Sequence, residues 1–323
     1  MSWQGAVIRW TLRRTFRPAT EQPIDVDYVR TRTSKRLWTP RAPSGWRLRE
    51  QYDAAPLRGE WLERRRAPGQ PAPRTILYLH GGGYYFCSPK THRAITFGLA
   101  MRADADLFSL DYRLAPEHPF PAALDDALAA WRSLLDSGVR ADSIVIGGDS
   151  AGGGLALATL VALRDAGGPL PAGAVLFSPW TDLAATGASL RDNDGRDPMF
   201  RGEVFERVAP LYLGVTPATH PLASPLYAEL HGLPPLFLRA GSTEVLVDDT
   251  RRVAARAADA GVEIDCAIWP DMPHIWPIYA PFMPEARRVL DEAAGFARRV
   301  TGGGHAPGGG DPRAAQSSET SIA

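Results

Sequence analysis

The pentapeptide Gly148-Asp149-Ser150-Ala151-Gly152 constrains this chain more than any other stretch. An apolar run, Ser143 to Gly147, precedes it, and Gly153 to Arg164, rich in Leu and Ala, follows it. That order reads as strand, sharp turn and helix with a serine at the apex, the setting in which a G-x-S-x-G serine is presented as a nucleophile. The turn forces the serine into a strained backbone conformation. Only glycine-sized neighbours at Gly148 and Gly152 let strand and helix approach that closely.

A second motif narrows the chemistry. His80-Gly81-Gly82-Gly83 follows the apolar run Thr75 to Leu79. Tandem glycines leave backbone N–H groups uncovered, and acyl transfer needs such donors aimed at the oxygen that becomes negative. With the N–H of Ala151, just after the serine, they would form an oxyanion hole. A glycine-rich turn alone is common and carries no chemistry. The two motifs together, each behind its own strand, point to an ester-hydrolysing site.

Bulk composition sets looser bounds. The chain has 323 residues, 45% hydrophobic and 22% charged, which suits one large α/β domain. Its formal net charge is zero, so no nucleic-acid partner is expected. Lys35 and Lys90 are the only lysines, so the cations are almost all arginine. Cys87 and Cys266 have neither metal-ligand spacing nor a disulfide framework, and reduced thiols in a cytoplasmic protein are expected. Cys87 lies close behind the glycine loop, where it reads first as a small buried hydrophobe.

The arginines among Val7, Ile8, Trp10, Leu12 and Phe16 break any secretory apolar core, and no stretch is long enough to span a bilayer. The start of the chain reads as a helix packing its apolar stripe on its own domain, with a cationic helix lying on a membrane as the alternative. No stable membrane insertion is expected.

Eight strand-like runs are legible: 46–52, 59–66, 75–79, 105–110, 143–147, 173–178, 235–240 and 262–269. Helical spacing appears over 122–135, 153–164, 247–260 and 284–300. Strands alternating with helices predict an α/β class fold with a mostly parallel eight-stranded sheet flanked by helices. Ligands on such sheets bind beyond the carboxyl ends of the strands. Residues 1–45 and an irregular insertion over about 182–233 interrupt the alternation and are expected to form a helical cap. The catalytic domain would run over 46–301, and 302–323, rich in Gly, Pro, Ser and Ala, is expected to be a disordered tail.

A serine needs a base, and histidine titrates in the right range. His80 belongs to the glycine loop and would pin it. His92 and His118 precede the serine, His220 and His231 fall in the insertion, and His305 lies in the tail. His274 follows the last strand in a loop, where the chain order serine, acid, histidine places the base. The acid should follow the penultimate strand. Glu244 lies just past that strand end, whereas Asp248 and Asp249 open the next helix, where capping is a sufficient role. Glu244 is favoured over Asp248.

At these residues the chain resembles the hormone-sensitive-lipase-like group of α/β-hydrolase carboxylesterases, notably its bacterial members. The resemblance runs from about Ile76 to Phe296. It is carried by His80-Gly81-Gly82-Gly83-Tyr84, the stretch Asp111-Tyr112-Arg113-Leu114-Ala115-Pro116-Glu117, Gly148-Asp149-Ser150-Ala151-Gly152-Gly153 and Met272-Pro273-His274. It implies the α/β-hydrolase fold, Ser150 as nucleophile, His274 as base, and Gly82, Gly83 and Ala151 as oxyanion donors. It also implies a cap built from the N-terminus and an insertion after the sixth strand. Asp149 would support the elbow. The family's usual acid is aspartate in Asp-Pro-Leu-x-Asp-Glu, so Glu244-Val245-Leu246-Val247-Asp248-Asp249 departs from the pattern.

The expectation is a serine carboxylesterase for short- to medium-chain esters, needing no metal or organic cofactor. Tyr84 and Tyr85 would border the substrate, or else be core residues. The expected partner is a small-molecule ester, with a homodimer open. Amide, lactone or formamide hydrolysis at the same site would use the same residues, and a non-catalytic ligand-binding member of the fold is the rival from another class.

Overall fold

In the computed structural model, which describes residues 1–35, 39–53, 58–67 and 69–302, one sheet organises the chain. Its strands are β1 (Trp46–Gln51), β2 (Gly59–Arg64), β3 (Thr75–Leu79), β4 (Asp106–Leu110), β5 (Ile144–Asp149), β6 (Gly173–Phe177), β7 (Leu236–Gly241) and β8 (Ile264–Trp269). They lie in the order β1-β2-β4-β3-β5-β6-β7-β8. β2 is antiparallel to β1 and β4, and the strands from β4 to β8 are parallel. The parallel interior explains the unbroken apolar runs: β3, β5, β6 and β7 are buried along their whole length. The edge strand β1 instead exposes Arg47, Arg49 and Glu50, charges that oppose pairing with another chain.

The helices are α1 (Trp3–Thr15), α2 (Val26–Lys35), α3 (Arg93–Ala103), α4 (Ala122–Asp136), α5 (Ala151–Asp165), α6 (Ser189–Asp192), α7 (Val204–Leu213), α8 (Val247–Asp259) and α9 (Pro284–Gly302). Two apolar clusters fill the two faces of the sheet. One joins α4, α5, α7 and α8 through Trp131, Leu155, Leu160, Phe205 and Val253. The other joins α3 and α9 through Ile95, Phe97, Leu99, Val289 and Leu290. No helix among the described residues is long and apolar enough to cross a membrane.

Two helices went unread in the sequence. α3 is buried on nearly every side, so it lacks the amphipathic period that marks a surface helix. α2 lies within the 1–45 segment, and its Val, Thr, Tyr, Ser and Asp residues have little helical propensity of their own. The insertion over 182–233 holds α6 and α7 among irregular segments. Of the expected tail, Gly302 closes α9, and 303–323 lie outside the described residues.

β3 and β5 are neighbours, with Leu79 opposite Gly148, while the chain leaves β3 for β4 on the other side. The order of strands therefore reverses between β3 and β5, the place on such a sheet beyond whose carboxyl ends ligands bind. The His80 loop and the Ser150 turn both begin there.

Candidate active site

Ser150 sits at φ +52° and ψ −123° between β5 and α5, a conformation that non-glycine residues rarely adopt. Its surroundings hold it there. A Cβ on Gly152 would lie 2.1 Å from the Leu79 carbonyl oxygen, and one on Gly148 would lie 2.3 Å from that of Gly152. The Ser150 N–H donates to the Phe177 carbonyl at 2.9 Å, and its own carbonyl accepts from Trp180 N–H at 2.8 Å. The strain at Ser150 is thus carried by the β5–α5 turn and by β6 beside it.

Ser150 Oγ lies 2.9 Å from His274 Nε2. His274 Nδ1 lies 2.7 Å from Glu244 Oε2. All three side chains are buried. Glu244 comes from the turn after β7 and His274 from the loop after β8, adjacent strands with Gly241 opposite Trp269. The two loops are tied to each other: Thr243 Oγ1 donates to the Met272 carbonyl at 2.9 Å, and Asp271 N–H donates to Ser242 Oγ at 3.0 Å. The other carboxylate oxygen of Glu244 accepts from the Gly241 N–H and, at 2.8 Å, from Ser178 Oγ. Ser178 Oγ in turn accepts from Ile275 N–H at 3.2 Å. Asp248 is turned elsewhere, accepting from Ser189 N–H at 2.9 Å and pairing with Arg251. Asp249 accepts from the N–H groups of Thr181 and Asp182.

Electrostatics separate two of the buried histidines, His274 and His80. Burial pushes the His274 imidazole down, but the hydrogen bond and charge of Glu244, aided by the charges of Asp197 and Asp149, push it up by more, so it lies above its ordinary value. His80 has no such partner. Burial, with His92 nearby, takes it down to about 3. A histidine that low is neutral throughout the neutral range. Its Nδ1 faces the Gly81 carbonyl at 2.7 Å, and its ring stacks on Tyr112 with centroids 4.3 Å apart. His80 is thus fixed within its own loop.

Asp149 lies under the turn. It accepts from Tyr78 Oη at 2.7 Å and Gly81 N–H at 3.2 Å, and its other oxygen lies 3.1 Å from His92 Nε2. Burial opposes its charge, and His92 and Tyr78 hold its carboxyl below the ordinary value regardless. One carboxylate therefore joins the serine turn to the glycine loop. Among the described residues, the N–H groups of Gly82 and Gly83 make no hydrogen bond within the chain. Ala151 opens α5, where first-turn N–H groups lack helical acceptors.

Tyr84 and Tyr85 are both buried, and the Tyr84 ring stacks on Tyr212 of α7 with centroids 3.6 Å apart. Cys87 and Cys266 are free thiols, and burial pushes Cys87 up to about 12. Among the described histidines, His92 is engaged by Asp149, while His118 and His231 are exposed and His220 lies against Phe120. His305 lies outside the described residues.

Sequence reasoning missed three residues around Glu244: Ser178, Asn193 and Asp197. Ser178 could have been found, since it directly follows β6 and ligands on such sheets bind beyond the carboxyl ends of the strands. Asn193 and Asp197 carry no local signal. Asn193 Nδ2 donates to the Ser242 and Glu244 carbonyls at 3.2 and 2.8 Å. Asp197 accepts from Val245 N–H at 2.9 Å.

Known proteins share this arrangement of strands. The profile of the α/β hydrolase fold family matches residues 76–278. An acetyl-hydrolase of Streptomyces hygroscopicus is 47% identical over 245 residues, 76% of this chain and 81% of that one. An esterase of Acinetobacter venetianus is 35% identical over 245 residues, covering 75% and 79%. Among solved structures, an esterase from the bacterial hormone-sensitive lipase family superposes with a TM-score of 0.85 at 40% identity, covering 93% of this chain and 99% of that one. The esterase EstE5, whose crystal was soaked with p-nitrophenyl butyrate, superposes with a TM-score of 0.86 at 39% identity, covering 94% and 100%. The chain belongs to the α/β hydrolase fold family, among its hormone-sensitive-lipase-like carboxylic ester hydrolases.

Proposed function

We propose that Ser150 is the nucleophile, His274 the general base and Glu244 the acid of this esterase. The observation that carries the reading is the continuous buried chain from Ser150 Oγ through both His274 nitrogens to Glu244 Oε2. His274 Nε2 takes the hydroxyl proton as Ser150 Oγ attacks the ester carbonyl. Glu244 holds the imidazole by its Nδ1–H and stabilises the imidazolium that forms. The N–H groups of Gly82, Gly83 and Ala151 receive the oxyanion. His274 then gives its proton to the leaving alcohol, and a water activated by the same base releases the acid from the acyl-enzyme.

The substrate is a small-molecule ester with a short acyl group. Support comes from the aromatic packing beside the base, where Phe200 meets His274 edge-on at 5.2 Å and packs on Phe205, which packs on Trp180. Such packing favours small acyl groups, as do the names of the relatives, an acetyl-hydrolase among them. Tyr84 and Tyr85 would support this wall from the oxyanion side. The N-terminal segment and the insertion form one cap in this reading. Arg17 donates to the carbonyls of Asp197 and Phe200, and Arg13 to that of Arg196. A cytoplasmic setting fits the free thiols.

The test is a p-nitrophenyl acyl series with fluorophosphonate labelling. Acetate and butyrate should exceed octanoate in kcat/KM, and the label should attach at Ser150. Labelling elsewhere would displace the nucleophile, and a preference for octanoate would sink the short-acyl reading.

A further inference from the structure

We propose that Asn193 and Asp197, in the insertion between β6 and β7, are positioning residues that hold the acid turn so that the Glu244 carboxylate meets His274. This rests on the roles assigned to Glu244 and His274 above. Glutamate carries three side-chain torsions between Cα and its carboxylate, so where the carboxylate lands depends on a fixed backbone as well as on Oε1 being anchored by Ser178 and Gly241. Locally the turn after β7 is closed by Glu244 N–H to the Gly241 carbonyl at 3.2 Å and by Val247 N–H to the Glu244 carbonyl at 3.3 Å, besides the Gly241 N–H on the carboxylate.

Its outward polar groups are met by the insertion. Asn193 Nδ2 takes both the Ser242 and the Glu244 carbonyl, and Asp197 Oδ2 takes the Val245 N–H. The acid residue is therefore gripped at its own carbonyl and at the next N–H. Both gripping side chains are buried, so water is poorly placed to replace a lost bond.

Asp197 has a second reach. Its Oδ1 accepts from Met199 N–H at 2.7 Å and Phe200 N–H at 3.1 Å, which fixes the turn presenting the Phe200 ring to His274. One carboxylate thus sets the backbone behind the acid and the ring beside the base. Arg17, 180 residues away in sequence, donates to the Asp197 carbonyl and brings the N-terminal segment into the same clamp. The insertion is in this view part of the catalytic frame as well as a cover over it.

The experiment measures kcat and KM on p-nitrophenyl butyrate for Asn193→Ala and Asp197→Asn, each alone and combined with Glu244→Gln. Each single variant should lose about tenfold in kcat with KM within about twofold, since small misplacements of a reacting group cost that much or more. In the Glu244→Gln background the same substitutions should cost less than about twofold, because the group they position is gone. Equal losses in both backgrounds would overturn the proposal, as would a raised KM with full kcat. Failure of both variants to fold would also overturn it, by making the pair merely structural. Full kcat in Glu244→Gln alone would instead remove the acid assignment, and the positioning role with it.

Discussion

The serine turn and the 193–200 segment flank the same histidine and are built on opposite principles. At the turn, backbone packs on backbone, and the essential feature is a missing side chain: any Cβ on Gly152 runs into the Leu79 carbonyl. In the 193–200 segment, side chains do the holding, with Asn193, Asp197 and Arg17 reaching to backbone groups elsewhere in the chain. A Cβ on Gly195, within that segment, would meet nothing within 4 Å. A site built from steric exclusion leaves a local signature, and one built from long polar reach does not.

The largest effect should come from the turn itself. Ser150→Ala removes the attacking oxygen and little volume, and should lower kcat by roughly 10⁵-fold or more with the unfolding midpoint nearly unchanged. Wild-type turnover by the folded variant would end the comparison. Next, Glu244→Gln should lower kcat by about 10³-fold, since the wrong partner at Nδ1 disfavours the productive tautomer. Asp248→Asn should stay within a few-fold of wild type because its carboxylate caps Ser189 and pairs with Arg251. The reverse ranking in steady-state kinetics would move the acid to Asp248.

The contrast can be sharpened with two glycines. Gly152→Ala should destabilise by about 3 kcal/mol or more, since a backbone carbonyl must move, whereas Gly195→Ala should fall within about 0.5 kcal/mol of wild type. Denaturant unfolding of both would decide it, and equal effects would show that the turn tolerates bulk.

The smallest effect is a shift along the pH axis. The proposed base works only when neutral, and Glu244 raises His274 above its ordinary 6.5. As pH falls through that raised value the imidazole protonates, so kcat/KM should fall on the acid side with its half-point above 6.5. Glu244→Gln should move the half-point to lower pH, and an unmoved half-point would detach Glu244 from the base.

β3, β5, β6 and β7 were legible because parallel strands buried on both faces must be apolar throughout, and turn residues punctuate all eight strands. Their bounds moved by only a residue or two, as where 105–110 became Asp106–Leu110. α3 was missed because burial on nearly every side erased its periodicity, and α2 because its Val, Thr, Tyr, Ser and Asp residues favour helix only weakly. Glu244 could be preferred to Asp248 from position alone, as the residue just past a strand end against one at a helix start. The residues behind Glu244 could not be read, because Asn193 and Asp197 lie about fifty residues from their hydrogen-bond partners with no strand order linking them.

The sequence by itself determined the alternation of strand and helix, the glycine loop, the serine turn and the two loops in which an acid and a base could lie. These follow from burial and from backbone sterics, which act between neighbours along the chain. Only the tertiary structure decided that Glu244 faces His274, that His80 is held neutral by burial, and that Asp197 ties the 193–200 segment to the turn after β7. Those depend on charge, desolvation and hydrogen bonds between groups distant in sequence, and such terms take their values only when the chain has closed around them.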